Sequence, residues 1–183
     1  MNSEHNVVQI ALFTALIAAL GLVPQLTLAF GVPITAQSLG IMLCGTVLGA
    51  RRGGLAALLF IGLVALGLPL LAGGRGGLGV FTSPTAGFAL GFPVAAFATG
   101  WVMERLSGVT VVLAAGIAAV LGGVVVLYAF GISGMAIVLG RSLTEAALLV
   151  TAFIPGDAVK AVLAGIITAA LYRARPHSVF SRS

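Results

Sequence analysis

The sequence predicts an all-α polytopic membrane protein with six transmembrane helices, and three observations predict it. The 183 residues are 60% hydrophobic and 7% charged, with a mean hydropathy of +1.22, more apolar surface than a soluble domain of this length hides. The apolar residues gather into segments near the ~20 residues that a hydrocarbon core of ~30 Å demands. The arginines stand at the ends of those segments and form no patch. A net charge of +5 in that arrangement argues for membrane orientation, not for nucleic acid. The expected organisation is one membrane-embedded domain over residues 1–183.

Six segments follow in order, at about 7–23, 36–50, 53–72, 85–103, 109–130 and 155–172. Residues 1–6 lack the basic region of a signal peptide, so the first segment is expected to remain in the mature chain. With the N- and C-termini cytoplasmic, Arg51, Arg52, Arg105, Arg173, Arg175 and Arg182 face inward and only Arg75 and Arg141 outward, a positive-inside bias. Trp101 and Tyr172 then fall at the inner interface, where amphipathic rings settle. Segment two is short. If it did not span, five spans with an external N-terminus would give the same arginine split. Segment lengths favour six.

The connections after segments one, three and five are the long ones, so polar material converges on the outer face, and a ligand site is expected there. Residues 141–153 read as a helix too short to span, lying at or under that face. Arg141 and Glu145 within it are i, i+4 and read as a surface pair. Gly74-Arg75-Gly76-Gly77-Leu78-Gly79 matches G-x-G-x-x-G, but a dinucleotide site needs a strand before it and a helix after it in a soluble unit. The stretch is either a flexible loop or one whose bare backbone, at Gly74 and Gly77, approaches a ligand. Arg75 is expected to face solvent, the alternative being an anionic ligand group.

Several chemistries are excluded or unsupported. Lys160 is the only lysine and is followed by Ala161, so no Walker A motif exists, and any ATP-driven step needs another subunit. Cys44 is the only cysteine, which rules out an intrachain disulfide. His5 and His177 are terminal and the four carboxylates are scattered, so neither a metal site nor a catalytic residue is expected. Ala11, Ala15 and Ala19 recur at spacing four on segment one. Small residues so placed let helices approach closely, within the bundle or against a partner's helix.

Asp157 and Lys160 break the pattern, because they lie inside the last apolar segment. A charge at mid-membrane costs roughly 2.5–3.5 kcal/mol on insertion scales. One reading is an N-cap, with Asp157 accepting from the first amides and Lys160 snorkelling. A helix beginning after Asp157 would be only about 22 Å long, however, whereas one beginning at Pro155 reaches about 27 Å. Both charges then sit in the first turns on one face, the carboxylate at the positive end of the helix dipole. Side by side, an acceptor and a donor suit a ligand with adjacent N–H and C=O groups.

The chain resembles the BioY family, the biotin-specific substrate-binding (S) components of energy-coupling factor (ECF) transporters. The likeness is carried by Val32-Pro33-Ile34-Thr35-Ala36-Gln37 with Leu48-Gly49-Ala50-Arg51, by Gly73-Gly74 and Gly76-Gly77 running into Pro84-Thr85-Ala86-Gly87-Phe88, and by Pro155-Gly156-Asp157-Ala158-Val159-Lys160. The resemblance implies six membrane helices and biotin held near the outer face. It implies partners, too: a transmembrane coupling protein and a pair of ATPase subunits. By the same resemblance, Asp157 and Lys160 contact the ureido head group, Phe81, Phe88 and Tyr128 offer apolar walls, and Gln37 is a further polar contact. The Ala11, Ala15, Ala19 stripe would dock the coupling protein. No cofactor beyond the ligand biotin is expected, and the location is the cell membrane. The alternative is a self-sufficient secondary carrier in which Asp157 or Glu145 takes a proton.

Overall fold

The computed structural model describes residues 3–27 and 33–182, so Val32 and the middle of the first long loop, 28–32, lie outside the described residues. Among the described residues the fold is all-α apart from one two-residue antiparallel ladder, β1 (Leu26–Thr27) with β2 (Pro33–Ile34). Helices α1 (Ser3–Leu20), α2 (Gln37–Leu48), α3 (Ala50–Ala65) and α4 (Ala86–Arg105) are followed by two longer helical runs. The first joins α5 (Val111–Val120) through a π-turn at Leu121–Val126 to α6 (Leu127–Leu139). The second joins α7 (Leu143–Val150) through one 3-10 turn to α8 (Ile154–Ala174).

Three of these, Ala86–Arg105, Val111–Leu139 and Leu143–Ala174, are long and apolar enough to cross a membrane. The fifth segment is therefore longer than expected: it continues past residue 130 to Leu139. Gly131 and Gly134 do not break it, because they are packing positions. A Cβ on Gly87 of α4 would stand 2.9 Å from the Gly134 Cα. The helix stops instead at Gly140, whose φ of 62° terminates it in the left-handed conformation. Residues 141–153 likewise do not lie apart from segment six but run into it. Their start is a capping box, in which Ser142 accepts from the Glu145 amide and Glu145 accepts from the Ser142 amide. Arg141 and Glu145 form the expected exposed pair at 3.7 Å.

Segment two folds as only the 12 residues of α2, about 18 Å of helix. Every residue of it but Leu39 is buried, so it is a central strut of the bundle with almost no lipid-facing surface. Gly49, with a φ of 83°, turns the chain directly into α3. A side chain there would strain the backbone and meet Glu104. Segment three also ends early, at Ala65, ahead of Gly67 and Pro69.

Helix α4 lies at the centre, packed on α2, α3, α5 and α6, while α8 packs along α5 and α2. Apolar burial drives little helix association in lipid, so close packing and interhelical hydrogen bonds must hold such a bundle. Both are present. Thr14 donates to the Ala56 carbonyl at 2.9 Å, joining α1 to α3, and the Thr46 and Thr168 hydroxyls bond at 2.8 Å, joining α2 to α8. Phe60, Ile41 and Val64 are fully buried in the largest apolar cluster.

Candidate functional site

The site is built where α2, α4 and α8 begin and α6 passes beside them. Pro155 occupies the first turn of α8, and the residue before the helix makes no side-chain cap. Asp157 is thus in the first turns, and among the described residues its carboxylate accepts from side chains only. Oδ1 accepts from Lys160 Nζ at 2.8 Å and from Ser38 Oγ at 3.1 Å, and Oδ2 accepts from the Tyr128 hydroxyl at 2.6 Å. Lys160 Nζ also donates to Ser38 Oγ at 2.9 Å. The pair is nearly dry, with side-chain exposures of 14% for Lys160 and 8% for Asp157. The N-cap reading of Asp157 is accordingly replaced by a four-residue network drawn from three helices.

A carboxylate has about four acceptor positions and an ammonium three donors. The network uses three of the first and two of the second. Among the described residues, one acceptor position on Asp157 Oδ2 and one N–H of Lys160 therefore remain, and both residues line a half-open cavity. The space there is about 630 Å³ when the open solvent at its mouth is included. Its apolar walls include Phe88, Phe92 and Phe153. The Phe88 ring meets Tyr128 and Phe153 edge to face at 6.2 and 6.1 Å, an arrangement that stiffens the wall.

Arg75 also lines the cavity. It does not face open solvent as expected. Its Nε donates to the Ala72 carbonyl at 3.2 Å and its Nη1 to Thr85 Oγ1 at 3.1 Å, and burial pulls its pKa below the ordinary arginine value. The glycine-rich loop explains the reversal. Gly73 and Gly74 have φ values of 77° and 69°, and Leu71 and Arg75 exchange backbone hydrogen bonds across them at 3.0 and 3.2 Å. This tight hairpin aims the arginine inward.

The structure brings Asp157, Lys160, Gln37, Phe88 and Tyr128 together around the cavity. Gln37 has no donor to spare: Nε2 donates to the carbonyls of Ile17 and Leu70, and Oε1 accepts from the Ala72 amide, with one acceptor position left. It clamps α1 and the loop after α3 onto α2. Gly74 and Gly77 do not line the cavity, and the Gly77 amide donates to the Val64 carbonyl at 2.8 Å. Phe81 packs against the main core cluster instead. Ala11, Ala15 and Ala19 are all exposed on the outer face of α1, so the stripe does not pack the bundle internally. Sequence reasoning missed Ser38 and Thr85 and set Arg75 aside. Ser38 had a signal, since Gln37-Ser38 is a polar pair opening an otherwise apolar helix.

A buried ion pair at the end of a membrane bundle, walled by aromatics and open on one side, defines a membrane-embedded solute-binding protein. The BioY family model matches residues 1–177, and the chain belongs to the BioY family. It is 53% identical to the biotin transporter BioY of Rhodobacter capsulatus, over 98% of this chain and 99% of that one. It is also 53% identical to the biotin transporter BioY of Rhizobium etli, over 90% and 91% of the two chains. A crystal structure of the S component for biotin from an ECF-type ABC transporter superposes with a TM-score of 0.88 and 29% identity, covering 94% of this chain and 95% of that one.

Proposed function

We propose that this chain captures biotin as the S component of an ECF-type transporter, with the remaining acceptor of Asp157 and the remaining N–H of Lys160 as the recognition element. That open pair is the observation that carries the reading. Biotin's ureido ring presents an N–H beside a C=O, the complement of a carboxylate beside an ammonium. The fused rings fill the aromatic walls. The carboxylate of the valeryl chain is matched by Arg75, held at the same cavity by Thr85. A charged pair fixed in a dry site recognises strongly, because neither partner has to be reorganised.

The chain is a transport component and not an enzyme. Lacking a Walker A motif, it depends on ATPase subunits and a transmembrane coupling protein for driven uptake. The exposed Ala11, Ala15, Ala19 face supports docking of the coupling protein, since small residues admit a close helix. The proposed location is the cell membrane, with both termini on the cytoplasmic side.

The test is direct titration of purified protein with biotin and with desthiobiotin, which keeps the ureido ring and carboxylate but lacks the sulfur. Tight binding of biotin, and of the analogue more weakly, is expected. Well-folded protein that binds neither overturns the reading. Biotin uptake that persists without ATPase subunits and collapses with a protonophore would favour the self-sufficient carrier.

A further inference from the structure

The contact of α4 with α6 is lined by glycine on both helices: Gly87 and Gly91 on α4, Gly131 and Gly134 on α6. Close approach of the helices explains three of the four. A Cβ on Gly134 would stand 2.5 Å from the Gly87 Cα and 2.7 Å from its amide nitrogen. One on Gly87 would overlap the Phe130 carbonyl oxygen, and one on Gly91 would come within 2.7 Å of the Phe130 Cβ. Backbone and Cβ atoms retreat only if the helices part. Gly131 is different. The three atoms nearest to a Cβ there all belong to one side chain, as Cζ, Cε1 and Cδ1 of the Phe88 ring, and the Cβ would overlap them.

That ring is a wall of the ligand cavity. Gly131 is buried, and its missing side chain is the notch that receives the ring's edge. Tyr128, three residues earlier on α6, and Phe153 meet the ring edge to face. Neither is free to give way. Tyr128 is tethered through its hydroxyl to Asp157, and Phe153 is buried in a cluster with Met135, Ala146 and Val150. A ring pushed out of the notch has the cavity as its open side. Interiors are packed closely enough that one added methyl is felt.

We propose that Gly131 is a positioning residue that sets the width of the ligand cavity by seating the Phe88 ring. The proposal rests on the biotin reading for its ligand and on the α4–α6 contact for its geometry. Biotin carries two fused rings, whereas desthiobiotin keeps the ureido ring alone. With Phe88 seated against Gly131, the cavity has its full width for the fused pair. With a methyl in the notch, the phenyl ring takes up part of that width, and the fused pair loses more than the single ring does.

Full-length Gly131→Ala is titrated with biotin and with desthiobiotin, beside the unaltered protein, Phe88→Leu and the double variant. Biotin affinity of Gly131→Ala is expected to fall about tenfold, the scale of overpacking by one methyl, and the preference for biotin over desthiobiotin to narrow. Leucine does not fill the notch, so adding Gly131→Ala to Phe88→Leu should change biotin affinity by less than about twofold. A glycine needed only for helix approach behaves otherwise: Gly134→Ala should lower the unfolding temperature and weaken both ligands alike. An unchanged preference, or an equal loss of affinity in both backgrounds, overturns the proposal. If Gly131→Ala alone does not fold, Phe88→Leu and the double variant still decide, and a gap between them of about tenfold overturns it. A ligand-free crystal structure of Gly131→Ala, or of the unfolding-rescued double variant beside Phe88→Leu, tests the seat without biotin. A Phe88 ring moved into the cavity by Gly131→Ala is expected; a ring left in place with α6 displaced overturns the proposal. Failure of the unaltered protein to bind biotin overturns only the reading of the ligand.

Discussion

Asp157 and Lys160 owe their meaning to Ser38 and Tyr128, which hold the pair in place and leave it incompletely satisfied. Removing one partner of a buried pair leaves an uncompensated charge and typically costs about 3–5 kcal/mol. Removing both should cost much less. Asp157→Asn and Lys160→Met are each expected to lower thermal stability and to weaken biotin binding, by about 10-fold or more for loss of a charged hydrogen bond worth about 1.5–3 kcal/mol. The double variant is expected to recover stability and remain unable to bind, as read by thermal unfolding and titration together. Recovery of both would make the pair merely structural. Gln37 is expected to show the opposite split. Gln37→Leu strands two carbonyls and the Ala72 amide, at about 1–3 kcal/mol each. Stability should therefore fall by more than affinity, in the same two measurements.

At the scale of elements, the π-turn of Leu121–Val126 sets the rotation of α6. A π-turn accommodates an extra residue, and an α-helix turns about 100° per residue. The turn therefore decides which face of α6 carries Tyr128 toward Asp157. It is seated by Gly122, where a Cβ would collide with the Thr99 side chain and backbone, and by Gly123, where one would meet Met42. Gly122→Ala is expected to lower the unfolding temperature and to weaken biotin binding as Tyr128 is displaced. Gly116→Ala, six residues earlier with nothing within 4 Å of the added methyl, should be neutral or stabilising by up to about 1 kcal/mol, the helix preference for alanine. A thermal scan of the two variants checks the contrast. Sequence could not foresee the turn, because its glycines read equally well as helix-packing residues.

Across the whole molecule, the two ends of the bundle do different work. The cavity occupies the end where α2, α4 and α8 start. The C-terminal tail closes the other: Val179 is fully buried, the Ser181 hydroxyl bonds the Thr46 carbonyl, and Arg182 donates to the carbonyls of Leu106, Ser107 and Val109. His5 meets the Phe180 ring edge to face at 5.6 Å, tying α1 to the tail. Truncation after Arg175 is expected to lower the unfolding temperature while leaving biotin affinity within about twofold, because none of the described tail residues lines the cavity. A large loss of affinity at unchanged stability would contradict this separation.

The sequence by itself determined the class and the number of helical segments, and it singled out Asp157 and Lys160 as candidates. Apolar length and the cost of intramembrane charge are local quantities, legible without knowing what packs on what. Only the tertiary structure decided the partners. Ser38 is 119 residues from Asp157 in sequence, and no local rule joins them. Arg75 turns inward because two glycines adopt positive φ, a choice that composition permits but does not compel. Gln37 proved to be a clamp because three backbone groups from distant segments converge on one amide. Gly74, Gly77 and Phe81 lie away from the cavity, since a glycine-rich or aromatic stretch in sequence carries no direction. Direction is set by packing, and packing is a property of the assembled bundle.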